Sequence, residues 1–432
     1  MTDIYEIAEY TLEALKKSGA DAAQCIVSKS KKDELNVDGG KFSLMRSTFN
    51  TSISMKAIKD GKKGVTSINQ ATKEAIDEAA DQCISAAQSS VPDEAEQIAP
   101  FTAKAEYKTG VFEPELDKLF DRIEEFMSQT AAEYPKIILE QLISDYEHSE
   151  KLYMNTNGTS LKYEHGEYSF NTMFSAHEGE KASSFNGYFC ALDSLDKPFM
   201  DAGMQRQLLA ESEKQLDTVS PSEKFVGRVI YSPDCFNELL QTALENFASS
   251  GVLIDGTSPW KDALNTKVAS EKLNLRSVPL DGRTVVGQRF TSDGYPVEDM
   301  DIIIDGVLKT FILSQYGANK TGFPRSLNSG NNLEVLPGDK ALEEMISGID
   351  RGLIVNRFSG GQPSSNGDFS GVAKNSFLIE NGRVVSAVSE TMISGNIIDM
   401  LNNIVAVSKE QTTDGISFMP WAEFDGVTVS GK

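Results

Sequence analysis

The sequence predicts an α+β fold with a small α/β N-terminal domain, an antiparallel central segment and a large β-rich, barrel-like C-terminal domain. Three observations carry this expectation. Two amphipathic helices bracket alternating strands in the first 90 residues, short alternating strands with hairpin turns fill the middle, and glycine-punctuated strands dominate beyond Asp255. With 432 residues, 40% of them hydrophobic, the chain can bury two or three cores.

Ile4, Ile7, Ala8, Thr11, Leu12 and Leu15 share one helical face, and Lys16, Lys17 and Gly19 suit its C-terminal end. Ala23, Cys25 and Val27 then alternate with polar neighbours, as do Ile53, Met55 and Ala57, so both segments read as strands. Asp60-Gly61 can supply the positive φ angles of a tight hairpin. A second helix buries Ile76, Ala79, Ala80, Cys83, Ile84 and Ala87, and the first domain spans residues 1–90. Residues 91–113 are acidic, carry Pro92 and Pro100 and show no periodicity, which reads as a linker.

Pro114 opens a helix whose apolar face is Leu116, Leu119, Phe120, Ile123, Phe126 and Met127. From Lys136 to about Leu192 the pattern is an antiparallel meander, with Asn157-Gly158 as a turn. A further helix over Pro198 to Leu216 and a boundary at Ser220-Pro221 close a central domain over 114–219. In the last domain, 220–432, the strand KFVGRVIY runs into Ser232-Pro233-Asp234, the cap, proline and acid of a helix start, and the helix buries Phe236, Leu239, Leu240, Ala243 and Phe247. The many short strands that follow need mutual closure, hence the barrel-like expectation.

Composition excludes several classes of function. Asp plus Glu number 64 against 41 Lys plus Arg, and a formal charge of −23 repels phosphate backbones. No run approaches the roughly 18 to 20 apolar residues of a membrane span, and the acidic N-terminal helix has no signal-peptide core, so a cytoplasmic protein is expected. The four cysteines lie far apart and read as reduced, mostly buried thiols.

Only three histidines exist, His148, His165 and His177, all in the central segment. A catalytic zinc takes three protein ligands, often two histidines one helical turn apart. The stretch His177-Glu178-Gly179-Glu180 begins like such a helix, but no second histidine follows and its neighbours alternate as in a strand. No GxSxG elbow, phosphate loop or dinucleotide fingerprint is present. The most unusual local feature is SGGQ at Ser359 to Gln362, followed by Gly367-Asp368-Phe369-Ser370-Gly371. It reads either as a tight β connection or as the lining of a peptide cleft, where small residues admit an extended chain. The peptide-binding candidates are Gly360, Gly361, Gln362, Gly367, Asp368 and Ser370.

The C-terminal half carries TSDGYP (Thr291 to Pro296), IIIDGVLKTFILSQYGANKTG (Ile302 to Gly322), GGQPSSNGDFSGVAKNSFLIENG (Gly360 to Gly382) and VSETMISGNIIDMLNNIVAVS (Val388 to Ser408), in that order. By this ordered series it closely resembles the TldD/PmbA family of peptidases. Upstream, Asn155-Thr156-Asn157-Gly158 is similar to the family's Asn-Ser-x-Gly turn. In the family the TldD-type subunit bears HExxxH on the helix after the Ser-Pro cap, with a late cysteine as third zinc ligand. Here Leu244 and Ser249 stand at the histidine positions and Glu245 at the glutamate, while no histidine follows His177 and no cysteine follows Cys235.

The resemblance therefore implies the TldE/PmbA-type subunit, with no catalytic and no metal-binding residues of its own, no cofactor, and zinc only in a TldD-like partner. It implies a heterodimer with that HExxxH-bearing subunit, or a homodimer in isolation, that cleaves unfolded peptides without contacting nucleic acid or membrane. Microcin maturation, antitoxin degradation and modulation of DNA gyrase are roles attached to relatives. The competing expectations are a stand-alone peptide-binding or modulator protein and a self-contained peptidase with unrecognised catalytic residues.

Overall fold

The computed structural model describes residues 1, 3–221 and 223–431. Its first layer is one continuous sheet. Strands β1 (Ala22–Asp38), β2 (Lys41–Lys59), β3 (Lys62–Ile68), β4 (Lys104–Gly110), β5 (Ile137–Asn155) and β6 (Ser160–Glu178) lie in the order β3-β2-β1-β5-β6-β4. β1 pairs antiparallel with β5 over fifteen registered positions, from Gln24 opposite Asn155 to Asp38 opposite Gln141. The separate domains expected at 1–90 and 114–219 thus share a sheet, because β1 joins the hairpin β1–β2 to the hairpin β5–β6. The expected linker at 91–113 carries β4, which runs parallel to β6 from Lys104 to Gly110.

Alternation gives this sheet two different faces. One is apolar. At one end α1 (Ile4–Lys17) and α2 (Lys73–Ser89) cover Ala23, Cys25, Val27, Ile53, Met55 and Leu152. At the other end α3 (Leu116–Glu133) and α4 (Gln205–Lys214) cover Leu35, Val37, Leu142, Phe170 and Phe174. The helix expected from Pro114 begins at Leu116 with Glu115 as its cap. The helix expected over 198–216 is split into a 3-10 turn, Phe199–Asp201, and α4, separated by Gly203 at φ +46°.

Both expected hairpin turns form, with Asp60 and Gly61 at φ 51° and 70° and Gly158 at 91°. β2 reaches beyond β3, whose pairing stops at Ile53, so residues 41–52 form a free edge on which Met45 and Phe49 are 75% and 74% exposed.

The C-terminal layer is a 14-stranded mixed sheet. Its spine is the strand Phe418–Ser430, which pairs with Phe225–Tyr231, Met392–Asn396 and Ile404–Thr413. Helix α5 (Pro233–Ala248) packs on it through Phe236, Leu240, Ala243 and Phe247. Among the described residues no helix is long and apolar enough to cross a membrane.

The two layers meet at both ends of α5. At one end Tyr188 donates to the Thr413 carbonyl (3.1 Å) and the Ala191 amide to Asp414 O (2.8 Å). At the other, the TSDGYP loop seats on β1 and β5.

Candidate functional site: a groove between the layers

Between these contacts the second, polar face of the first sheet faces α5 across an open groove with two lobes. The larger, about 910 Å³, has Ser28 and Ser30 of β1, Ser149 and Lys151 of β5, and Tyr163, His165 and Glu167 of β6 as its floor. Its roof is Gln241, Leu244, Glu245 and Ser249, with Arg289 and Phe290 at the side. The second lobe, about 680 Å³, continues along β5 to Gln141, along β6 to Asn171 and Met173 and along α5 to Asp234 and Glu238, and Gln241 borders both lobes. From Tyr163 to Met173 the floor extends about 33 Å at roughly 3.3 Å per strand residue. That is room for an extended peptide of about ten residues.

Local structure fixes these side chains. Ser232 caps α5 and Pro233 occupies its first turn, where a missing N–H costs nothing. Asp234 follows on the groove side, open to water yet walled by protein, and burial together with Asp414 pushes its carboxyl up to about 6. β4 holds His165, whose Nδ1 lies 2.8 Å from Thr109 Oγ1 and 3.1 Å from the Thr109 carbonyl oxygen. Its Nε2 lies 2.5 Å from Glu167 Oε2, close but not aligned as a hydrogen bond. His165 is buried, not exposed as strand histidines usually are. His148 contacts Glu164 at 3.0 Å and His177 contacts Ser175 Oγ at 2.9 Å, so the three histidines are dispersed in separate contacts.

The positions aligned with a zinc motif face the larger lobe, but their chemistry does not fit zinc. Leu244 and Glu245 lie on the last turn of α5. Ser249, expected within the helix, is the first residue beyond it, with ψ 160° and its Oγ donating to the Glu245 carbonyl at 2.6 Å. A leucine, one carboxylate and a hydroxyl already bonded to backbone cannot supply three deprotonated donors. Cys235, on the same helix, is buried, and burial pushes its thiol well above the usual range. Among the described residues no three His, Cys, Asp or Glu side chains converge on a metal-sized space.

The SGGQ candidates occupy a different place from the main groove. Gly360, Gly361 and Gln362 line a cleft of about 250 Å³ on a neighbouring flank of α5, sharing only Cys235 and Glu238 with the second lobe. A side chain at Gly360 would overlap the Phe358 ring, whereas nothing lies within 4 Å of a Cβ built at Gly361. Gly367 sits in a left-handed turn at φ +93°. Asp368 accepts from Asn366 and Asn396 at 3.0 and 2.9 Å, and Ser370 lies on the strand Asp368–Lys374. These last three line none of the three cavities.

Sequence reasoning missed the floor of the main groove. The signal was present as polar alternation, Ser28-x-Ser30 and Ser149-x-Lys151, on strands whose opposite face is apolar.

The comparisons with known proteins agree with this architecture. Residues 224–431 match the model of the PmbA/TldA metallopeptidase C-terminal domain, and residues 23–87 match that of PmbA/TldA metallopeptidase domain 1. The chain is 32% identical over 155 residues to the metalloprotease PmbA of Escherichia coli O157:H7, covering 35% of this chain and 34% of that protein. It is 28% identical over 220 residues to the zinc metalloprotease TldD homolog of Saccharolobus solfataricus, covering 47% and 49%. The matched stretches thus span a third to a half of these relatives.

Two crystal structures share the fold over nearly the whole chain. TldE from Thermococcus kodakarensis superposes with a TM-score of 0.82 at 22% identity, covering 98% of this chain and all of that one. A candidate modulator of DNA gyrase from Bacteroides thetaiotaomicron gives 0.84 at 23%, covering both chains completely.

Proposed function

This chain belongs to the TldD/PmbA family, and from that premise we propose that it is the metal-free, TldE-type subunit of a metallopeptidase that cleaves unfolded peptides. One observation carries the reading. The groove is open and long enough for an extended peptide, while the roof positions that align with the family's zinc donors are Leu244, Glu245 and Ser249. A polar floor about 33 Å long, rich in serine hydroxyls, suits an extended main chain and few side-chain demands. In this reading the chain binds and presents peptide, and bond cleavage takes place in a zinc-bearing relative.

Association is supported by the free edge of β2. A twelve-residue stretch paired on one side with β1 and open on the other, with exposed Met45 and Phe49, is a liability in a monomer and a ready surface for a partner.

The test is to purify this chain and an HExxxH-bearing relative separately and assay each, and the mixture, on a casein-derived unfolded peptide with and without chelator. Chelator-sensitive cleavage should need both chains, with a mixed species in native mass spectrometry. A relative fully active alone that ignores this chain would favour a stand-alone peptide-binding protein. Chelator-resistant cleavage by this chain alone would favour a self-contained peptidase.

A further inference from the structure

Lys151 stands on the groove floor directly opposite Tyr163 of β6 and Ser28 of β1. Its Nζ lies 5.8 Å from the centroid of the Phe290 ring. The neighbouring Arg289 places its guanidinium 5.7 Å from the Tyr163 ring. Its Nη1 donates to the carbonyls of Pro279 and Gln288, which fixes the orientation of the fork. Two cations are thus framed by two aromatic rings in the wall of the larger lobe.

Neither cation has a counter-charge. No carboxylate of the described residues lies within 4.0 Å of either one. The floor carboxylates are engaged elsewhere, Glu147 with Lys32 at 3.0 Å, Glu150 with Lys162 at 2.8 Å and Glu167 with His165 at 2.5 Å. Burial pushes the Lys151 ammonium below its usual range, and no neighbouring carboxylate, Glu245 across the groove included, offsets it. In a chain with 64 acids and 41 bases, two cations in the wall of one lobe without a carboxylate are an expensive arrangement for folding. They are a suitable one for an incoming anion, since charge-assisted hydrogen bonds in a partly dehydrated cleft are strong and an arginine fork matches a carboxylate.

We propose that Lys151 and Arg289 anchor a carboxylate of the bound peptide, fixing its position along the groove while the serine floor accommodates the rest of the chain. The inference rests on the peptide-groove reading above and adds a chemical requirement to it. The carboxylate is either the peptide's own C-terminus or an Asp or Glu side chain.

Fluorescence anisotropy with the full chain separates the possibilities. The probes are three fluorescein-labelled dodecapeptides of Gly, Ser, Ala and Val, one with a free C-terminal acid, one amidated, and one amidated with a Glu near its end. The free acid should bind about tenfold more tightly than the plain amide, a difference typical of one charge-assisted contact. Lys151→Met, which keeps the apolar stem, and Arg289→Gln should each weaken the free acid by more than the amide and so close that difference. The melting temperature of Lys151→Met should be equal to or above the parent's, because a partly buried charge without a carboxylate partner is gone. Tight binding of the Glu peptide assigns the site to acidic side chains; its failure, with the free acid still bound, assigns it to C-termini. Equal binding of all three probes overturns the anchor but leaves the groove. Binding of none overturns the groove reading and the anchor with it. A loss that is equal for all three probes in both variants makes the residues structural and also overturns the proposal. Arg289→Gln alone decides the matter should Lys151→Met fail to fold.

Discussion

At the scale of single residues, glycines that look alike in the sequence do different work. Gly360 and Gly371 face each other across an antiparallel pair, and the Phe358 ring fills the space that side chains would take at either position. Gly361, one residue on, borders the small cleft with open space around it. Gly361→Val should therefore leave stability within about 0.5 kcal/mol of the parent, as for an exposed position. If this cleft is part of the peptide path, the same variant should slow cleavage by the assembled complex severalfold. Urea titration and the two-chain assay measure both effects, and unchanged cleavage would remove Gly361 from the site. The six glycine-rich candidates were legible as a motif, but not their division into packing glycines, a turn and a cleft wall. That division depends on where Phe358 and Phe247 lie, which the local sequence does not encode.

At the scale of elements, what was legible followed from local chemistry. α1, α2, α5 and the turns at Asp60-Gly61 and Asn157-Gly158 are set by periodicity, caps and positive φ, and all form where expected. The pairing of β1 with β5 joins residues more than a hundred positions apart and left no trace in either segment. β4 did leave a trace, since Ala105, Tyr107 and Thr109 alternate with Lys104, Glu106 and Lys108, but the surrounding prolines and acids masked it. The segment before it is tied down by Glu96, whose side chain is 5% exposed and contacts Lys56 at 2.8 Å as well as Lys63. Burial pushes the Glu96 carboxyl up, yet the two lysines outweigh burial and hold it below its usual value. A depressed pKa in the folded state adds stability above the unfolded pKa and loses it as pH falls through the folded value. Glu96→Gln should cost about 1–2 kcal/mol at pH 7, moderated because both lysines keep access to solvent. The gap between parent and variant should close as the pH is lowered below about 4. Denaturant titrations at pH 7 and pH 3.5 test the sign, and a gap that widens in acid would refute this account.

At the scale of the whole molecule, the groove exists because its two layers are held apart and in register, and the family motif TSDGYP does part of that holding. Gln24 of β1 donates to the Ser292 carbonyl at 3.2 Å, and Thr102 donates to the Gly294 carbonyl at 2.7 Å. Asp293 accepts from the Gln315 amide at 2.7 Å, tying the same loop to the C-terminal layer. Gly294 itself, at φ +90°, lies flat against Tyr153 of β5, so closely that a Cβ would overlap the ring. Tyr153 is wholly buried, with its hydroxyl bonded to Gln24 and Asn155. A residue matched to the family by sequence thus acts as a joint between the layers. Gly294→Ala adds a left-handed backbone penalty of about 1–2 kcal/mol and an overpacking penalty of about 1–3 kcal/mol. It should lower stability by about 2–5 kcal/mol and weaken peptide binding although no groove residue has changed. The overlap can be separated from the backbone term by a double-mutant cycle. In a Tyr153→Ala background the ring is gone, so Gly294→Ala should cost only the backbone part, about 1–2 kcal/mol. The difference between the two costs, read from urea midpoints, is the coupling between the layers at this joint. A coupling near zero would mean that the layers are set by their other contacts, the shared core around Phe170, Leu209, Ile379 and Trp421 among them, and that the motif is kept for another reason.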